Sequence, residues 1–396
     1  MKTECTRTAL QGIAFPVVGL MLVGMLMLSG QVSGQGVGLP LISGTSGNWS
    51  HRAQVTVTGV GFGTKANATP VIWDDASGTS VTEQWSGAWP NNNPKYNTAY
   101  RTPQRGIALP HNRITKYIAG AHAENLGYNA GYNVVLFKTR TISSYPAYTY
   151  VTWYQRADDA WVFGGDNNFK TYAFSIGGTP YEMPNNWYLA YNPPTPGNRT
   201  AGTSYVYNDD SGWAQTGGTL MSPDMNGRTQ WWGAAVNPMS GVWTKVEQEI
   251  KWTNQNDGYI KLWENGVLRV NYAGPTDKYP GTTRTEGIGG YARMSGQPNN
   301  WRYFADVYLD YSRARVIIGN APTFTTSTRR EVQIPTSWSD SSITLSVNLG
   351  AFSDGQQAYL YVVNSNGLVN EVGRPIQLAG GTLVGPSSPM SLRIIR

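Results

Sequence analysis

Much of the architecture can be worked out from GYIKLWENGVLRVNYAG, residues Gly258 to Gly274. Its apolar residues alternate around a central Asn265-Gly266, the pattern of two strands and a turn. Register decides which side chains share a face. With a two-residue Asn265-Gly266 turn, Ile260 faces Asn271 and Leu262 faces Arg269, so neither face is cleanly apolar. A three-residue loop, Glu264 to Gly266 with Gly266 as a left-handed bulge residue, puts Ile260 opposite Val270 and Leu262 opposite Leu268. That makes one face aliphatic, and it is the register expected here. The other face carries Tyr259, Lys261, Trp263, Arg269 and Asn271. Lys261 then lies across from Arg269, a repulsive pair that calls for a nearby anion or carboxylate.

The rest of the chain has the same character. Of 396 residues only 14% are charged, while glycine, tyrosine and tryptophan are abundant, and no long stretch has helical periodicity. This composition suits many short strands joined by polar loops. The net charge of +6 is a mild bias toward acidic partners, and no Lys/Arg block resembles a nucleic-acid arm. At the N-terminus, Lys2 and Arg7 precede an apolar run from Ile13 to Leu28, followed by small and polar residues. Residues 1–34 read as an export signal cut before Gln35, so the mature chain is secreted or surface-located with no membrane span. The competing reading, a membrane anchor, is disfavoured because Pro16 and the glycines weaken a span. Cys5, the only cysteine, leaves with the signal, so neither disulfides nor thiol chemistry is expected.

Two blocks flank a long middle. In the first, residues 35–74, the segment VTVTGVGFGTK (Val55 to Lys65) resembles the opening strands of IPT/TIG immunoglobulin-like domains. Only three strands fit there, too few for a sandwich. Residues 319–380 supply more: REVQIPTSWSDSSITLSVNL and QQAYLYVVNSNGLVNEVGRPIQL, with SWSDSSITLSV (Ser337 to Val347) similar to that family's middle strand. Either one Ig-like sandwich is split by an insertion of about 230 residues, or an N-terminal extension precedes a separate C-terminal domain. Residues 381–396 form a Pro/Ser-rich tail.

The middle, residues 75–318, runs strand after strand, and NDGYIKLWENGVLRV resembles the DGxxxLWxNGxL hairpin of concanavalin A-like lectin/glucanase domains, a group that includes laminin-G modules and several polysaccharide lyases. The fold class expected is all-β, an antiparallel two-sheet jelly-roll sandwich plus a smaller Ig-like β-sandwich. The resemblance implies fold and leaves activity open, since this fold hosts lectins, hydrolases, lyases and adhesion modules.

Sugars present apolar C–H faces ringed by hydroxyls, so they are held by flat aromatic rings with amides and charges at the rim. Tyr259 and Trp263 are the first candidates, with Trp231 or Trp232, Trp153 or Tyr154, and Trp187 behind them. Many of these rings must instead fill the core. Lys261, Arg269 and Arg156 suit uronate or sulfate groups, and Asn271 is a further ligand-binding candidate on the hairpin's outer face. Glycoside hydrolysis needs two carboxylates. The ExDxxE strand of laminarinase-like relatives is absent, and Glu247 and Glu249, roughly 7 Å apart along one strand face, are more simply an outward polar face paired with Lys245 and Lys251. Beta-elimination needs a base and a group that neutralises the uronate. RTPQR (Arg101 to Arg105) and YFADVYLDYS (Tyr303 to Ser312) only faintly resemble alginate-lyase motifs. His51, His111 and His122 are the only histidines. Structural Ca2+ is the one ion suggested, held by Asp75 and Asp306 with backbone carbonyls. The expected function is binding of an extracellular or cell-surface polysaccharide, with a uronate-directed polysaccharide lyase and a structural surface or filament component as alternatives.

Overall fold

The hairpin forms by a route that neither register anticipates. In the computed structural model, which describes residues 38–79, 83–89, 99–102, 107–121, 135–157, 168–176, 187–192, 202–208, 222–223, 229–236, 241–273, 276, 282–288, 292–293 and 301–379, Tyr259–Glu264 pairs with Val267–Ala273. Asn265 (φ 47°) and Gly266 (φ 75°) both take left-handed backbone, as a two-residue turn of the primed type requires. Glu264 therefore faces Val267, and Trp263 faces Leu268. Arg269 is then an extra residue, a bulge, beyond which Leu262 faces Val270, Lys261 faces Asn271 and Ile260 faces Tyr272. The three-residue loop is thus corrected, and the Lys261–Arg269 opposition does not arise. Ile260 and Leu262 are both fully buried, because the bulge restores the aliphatic pairing that the two-residue turn alone would lose. The turn tip is pinned: a Cβ at Gly266 would lie 2.0 Å from the carbonyl oxygen of Thr328.

This hairpin edges an eight-stranded antiparallel sheet. Inward from it come Thr244–Trp252, Ala147–Ala157, Trp301–Asp310, Tyr117–Ala121 and Ala99–Thr102, with Ile72–Asp74 also paired to Trp301–Asp310. Its inner face supplies Val151, Trp153, Val246, Ile250, Trp252, Phe304, Val307 and Leu309 to one core. Trp153 belongs to that core, so of Trp153 and Tyr154 only the latter lies on the outer face. A second, nine-stranded sheet runs in the order Ser222–Pro223, Thr229–Val236, Gly202–Asn208, Trp187–Asn192, Asn168–Ile176, Thr282–Ile288, Val135–Ile142 and Gly87–Trp89, with Ala292–Arg293 added to Asn168–Ile176. Ile142 and Ile288 bring it onto the same core.

A smaller sandwich of two four-stranded sheets is made from both ends of the described chain. Leu41–Gly47, Gln54–Val60, Ser342–Ser346 and Ile334–Trp338 form one sheet; Arg330–Val332, Arg315–Gly319, Gln357–Val363 and Arg374–Gln377 form the other. Val55, Val57 and Phe62 share a core with Val316, Ile318, Ile343, Leu345, Leu360 and Val362. Gln54–Val60 pairs directly with Ser342–Ser346, so the large sandwich is inserted between neighbouring strands of the small one. By pairing, Ile72–Asp74 belongs to the large sandwich and Arg315–Gly319 to the small one. The protein is all-β, and no helix among the described residues is long and apolar enough to cross a membrane. The segment read as an export signal and the 381–396 tail lie outside the described residues.

Candidate functional site

Strand alternation sends Lys245, Glu247, Glu249 and Lys251 to the outer face of the eight-stranded sheet, beside Tyr259, Lys261 and Trp263 and near Tyr150, Tyr154 and Tyr308. This is the face that the sequence offers to a sugar. The small sandwich packs on it. Val332 joins Tyr150 and Tyr308 in one buried cluster, and the two tyrosine rings meet edge to face at 5.9 Å. Ion pairs cross the joint around that cluster. Glu249 meets Arg315 at 2.8 Å, Glu247 meets Arg330 at 3.1 Å, Lys245 meets Glu331, and Lys65 meets Asp310 at 2.6 Å. Arg315 also lies 4.0 Å over the Tyr150 ring.

The two strand carboxylates therefore pair with arginines of the small sandwich and not with their neighbouring lysines. Lys251 reaches Asp257 instead, at 2.5 Å. Burial pushes the Glu249 carboxyl up, but Arg315, the Tyr259 hydroxyl and Arg313 outweigh it and hold the group below its ordinary range. Tyr259 donates to Glu249 at 2.6 Å, and burial together with that carboxylate raises its phenol well above the usual value. Arg315 opens an otherwise apolar strand, RVIIG, a placement that was the one signal in the sequence of a charged joint; Arg330 sits beside Glu331 in REV.

The remaining expected residues scatter. Lys261 is half-buried with its ammonium 5.3 Å over the Tyr259 ring, and Asn271 is exposed opposite it. Arg156 is half-buried opposite Tyr303. The side chain of Arg269 lies outside the described residues, as do His122 and Arg105. Asp75 pairs with Arg52 at 2.8 Å, and Asp306 with His111 at 2.7 Å, so each carboxylate expected to hold calcium has a protein partner. Among the described residues no group of three or more His, Cys, Asp or Glu is gathered to hold a metal.

Among the described residues an opening persists in the joint. A cleft of about 330 Å³ is lined by Tyr154, Lys245, Glu247, Trp263, Asn265, Arg329 and Arg330, among others. The Arg330 guanidinium lies 5.1 Å over the Trp263 ring. Tyr154 donates to Glu331 at 2.6 Å, and burial and that carboxylate hold its hydroxyl in the protonated state.

The nine-stranded sheet is different. Glu286 and Ile288 are buried on its core side; on its far side Thr139 and Thr141 are exposed and Gly287 is buried. Register carries the far side across the strands. Thr139 faces Thr285; two residues on, Gly287 faces Ala173, which faces Tyr188, which faces Tyr207, which faces Gln230. In the next row Lys170 faces Ala190, which faces Tyr205, which faces Trp232. Four aromatic positions, a lysine and a glutamine thus share the far face. Trp231 and Trp187 fall on the core-side register. Only Trp232 of this group was singled out from the sequence. Tyr188, Tyr205 and Tyr207 were missed, although GTSYVYN carries two tyrosines at period two.

No family model matches the chain, and no curated protein does. Among solved structures, it is similar to an endo-beta-1,4-glucuronan lyase from the fungus Trichoderma reesei, at 15% identity and a TM-score of 0.40, over 62% of this chain and 96% of that one. It is also similar to a PL-14 alginate lyase from Aplysia kurodai, at 12% identity and a TM-score of 0.42, over 62% and 100%. A third, the cellulose induced protein Cip1, gives 18% identity and a TM-score of 0.39, over 60% and 96%.

Proposed function

We propose that this protein binds an acidic polysaccharide along the far face of the nine-stranded sheet. One observation carries the reading: the cross-strand register that sets Tyr188 opposite Tyr207 and Tyr205 opposite Trp232. Strands lie about 4.8 Å apart and alternate residues about 7 Å apart along a strand, so these positions cover roughly 10 Å by 7 Å. That is the scale of a pair of sugar rings laid on an aromatic platform. Lys170, in the same row as Tyr205, supplies a cation for a uronate, and Gln230 supplies an amide. The test is retardation of the purified protein in gels containing alginate, pectate or glucuronan. Wild-type protein is slowed by at least one of them, and the Tyr205→Ala/Trp232→Ala double variant migrates as in a blank gel. Equal retardation of the two proteins defeats the reading.

A second reading, beta-elimination on the bound uronate, is favoured by Tyr207 standing opposite Gln230. A tyrosine to take the proton beside an amide to neutralise the carboxylate is the pairing such a reaction needs. Incubation with the same three polymers tests it through ultraviolet absorbance of unsaturated products. Product that disappears in Tyr207→Phe supports elimination, and no product from any polymer leaves binding alone.

A further inference from the structure

The joint between the sandwiches holds a second and separate opportunity. We propose that its cleft is a binding site for a single sugar acid, a free uronic acid. The lining chemistry is specific. Trp263 offers an indole, the Arg330 guanidinium lies across it, and Glu247, Lys245, Asn265 and Arg329 complete the wall. Glu247 and Arg330 are only 5% and 7% exposed, yet Glu247 Oε1 and Arg330 Nε have no hydrogen-bond partner among the described residues. Buried polar atoms left in that state are uncommon and ask for a partner.

The charges define which partner. Glu331 compensates Lys245, and Glu247 compensates Arg330. Arg329, exposed at the rim, pairs with no carboxylate among the described residues, so the site has one uncompensated cation. A ligand that satisfies all three features carries a carboxylate for Arg329, a hydroxyl donor for Glu247 Oε1 and a flat C–H face for Trp263. A hexuronic acid has each, and a cleft of about 330 Å³ is at the small end of ligand sites, suited to one ring. The site uses none of the far-face residues, so it stands or falls independently of the polysaccharide surface.

Saturation-transfer NMR and calorimetry with sodium glucuronate and sodium galacturonate test it, with glucose and acetate as controls on the intact protein. At least one uronate binds saturably, and glucose and acetate bind at least tenfold more weakly. Arg329→Ala, which removes no ion pair, weakens the uronate at least tenfold with an unchanged melting temperature. Glu247→Gln weakens it as well, and Tyr205→Ala/Trp232→Ala leaves it unchanged. The proposal is overturned if neither uronate binds, if Arg329→Ala binds like wild type, or if the far-face double variant abolishes binding.

Discussion

The two sheets of the large sandwich present outer faces that look alike in sequence and end in opposite circumstances. Each alternates aromatic and polar residues with cations among them. On the eight-stranded sheet that face is a joint, closed by Arg315, Arg330, Glu331 and Val332 of the small sandwich. On the nine-stranded sheet the same period-two chemistry lies on the side where Thr139 and Thr141 are exposed. Alternation therefore shows that a face is not core, and nothing more. What marks the first face as a joint is that its strand carboxylates have opposite numbers elsewhere in the chain. Glu247 and Glu249 have theirs in strands that follow much later.

The joint should break hardest where a buried pair is cut on one side. Arg315→Ala leaves Glu249 buried without its main partner, and we expect a loss of about 3–5 kcal/mol in urea denaturation. A loss under 1 kcal/mol would mean that the joint is looser than its burial implies. Next comes Leu262→Ala, with an expected cost of about 2–5 kcal/mol, because the aliphatic face made by the Arg269 bulge is fully buried. Trp263→Ala removes a half-buried ring and should cost less than Leu262→Ala; the reverse order would contradict the bulged register.

Acid sharpens the comparison further. The folded carboxyl of Glu249 titrates below its unfolded value, about 4.3. Its stabilisation is therefore complete above that value and is lost as pH falls through the lower folded one. Asp310 works the other way: burial outweighs Lys65 and raises its carboxyl, so it costs stability at neutral pH and that cost is relieved on acidification. Urea midpoints measured from pH 6 to pH 3 should fall more steeply in wild type than in Glu249→Gln. Parallel slopes would remove Glu249 as an acid-sensitive element of the joint. The smallest effect belongs to Lys261→Ala, which should change stability by less than about 0.5 kcal/mol, since its ammonium rests on the Tyr259 ring with no carboxylate partner among the described residues.

How much of this was legible in the sequence follows from what each residue interacts with. Ile260 and Leu262 were readable as core because their signal is local, a two-residue period beside a turn. The Arg269 bulge was not, because Asn265-Gly266 demanded one register and the aliphatic face another, and only an inserted residue satisfies both. His111 is bonded to Asp306 in a left-handed bulge nearly two hundred positions on, and no spacing rule reports that. Trp231 or Trp232 was offered by a single strand as an aromatic candidate, and Trp232 is the one on the far-face register. Its neighbours Tyr188, Tyr205 and Tyr207 become a group only when three strands are aligned, and strand order is not written in any one of them.

The contrast between the faces is tested most directly by affinity in polyuronate gels, comparing Tyr205→Ala/Trp232→Ala with Lys261→Ala/Asn271→Ala. If the nine-stranded sheet is the ligand surface and the eight-stranded one a joint, the first pair of substitutions lowers affinity at least tenfold and the second leaves it as in wild type. Retained affinity in the first protein with loss in the second would contradict that assignment.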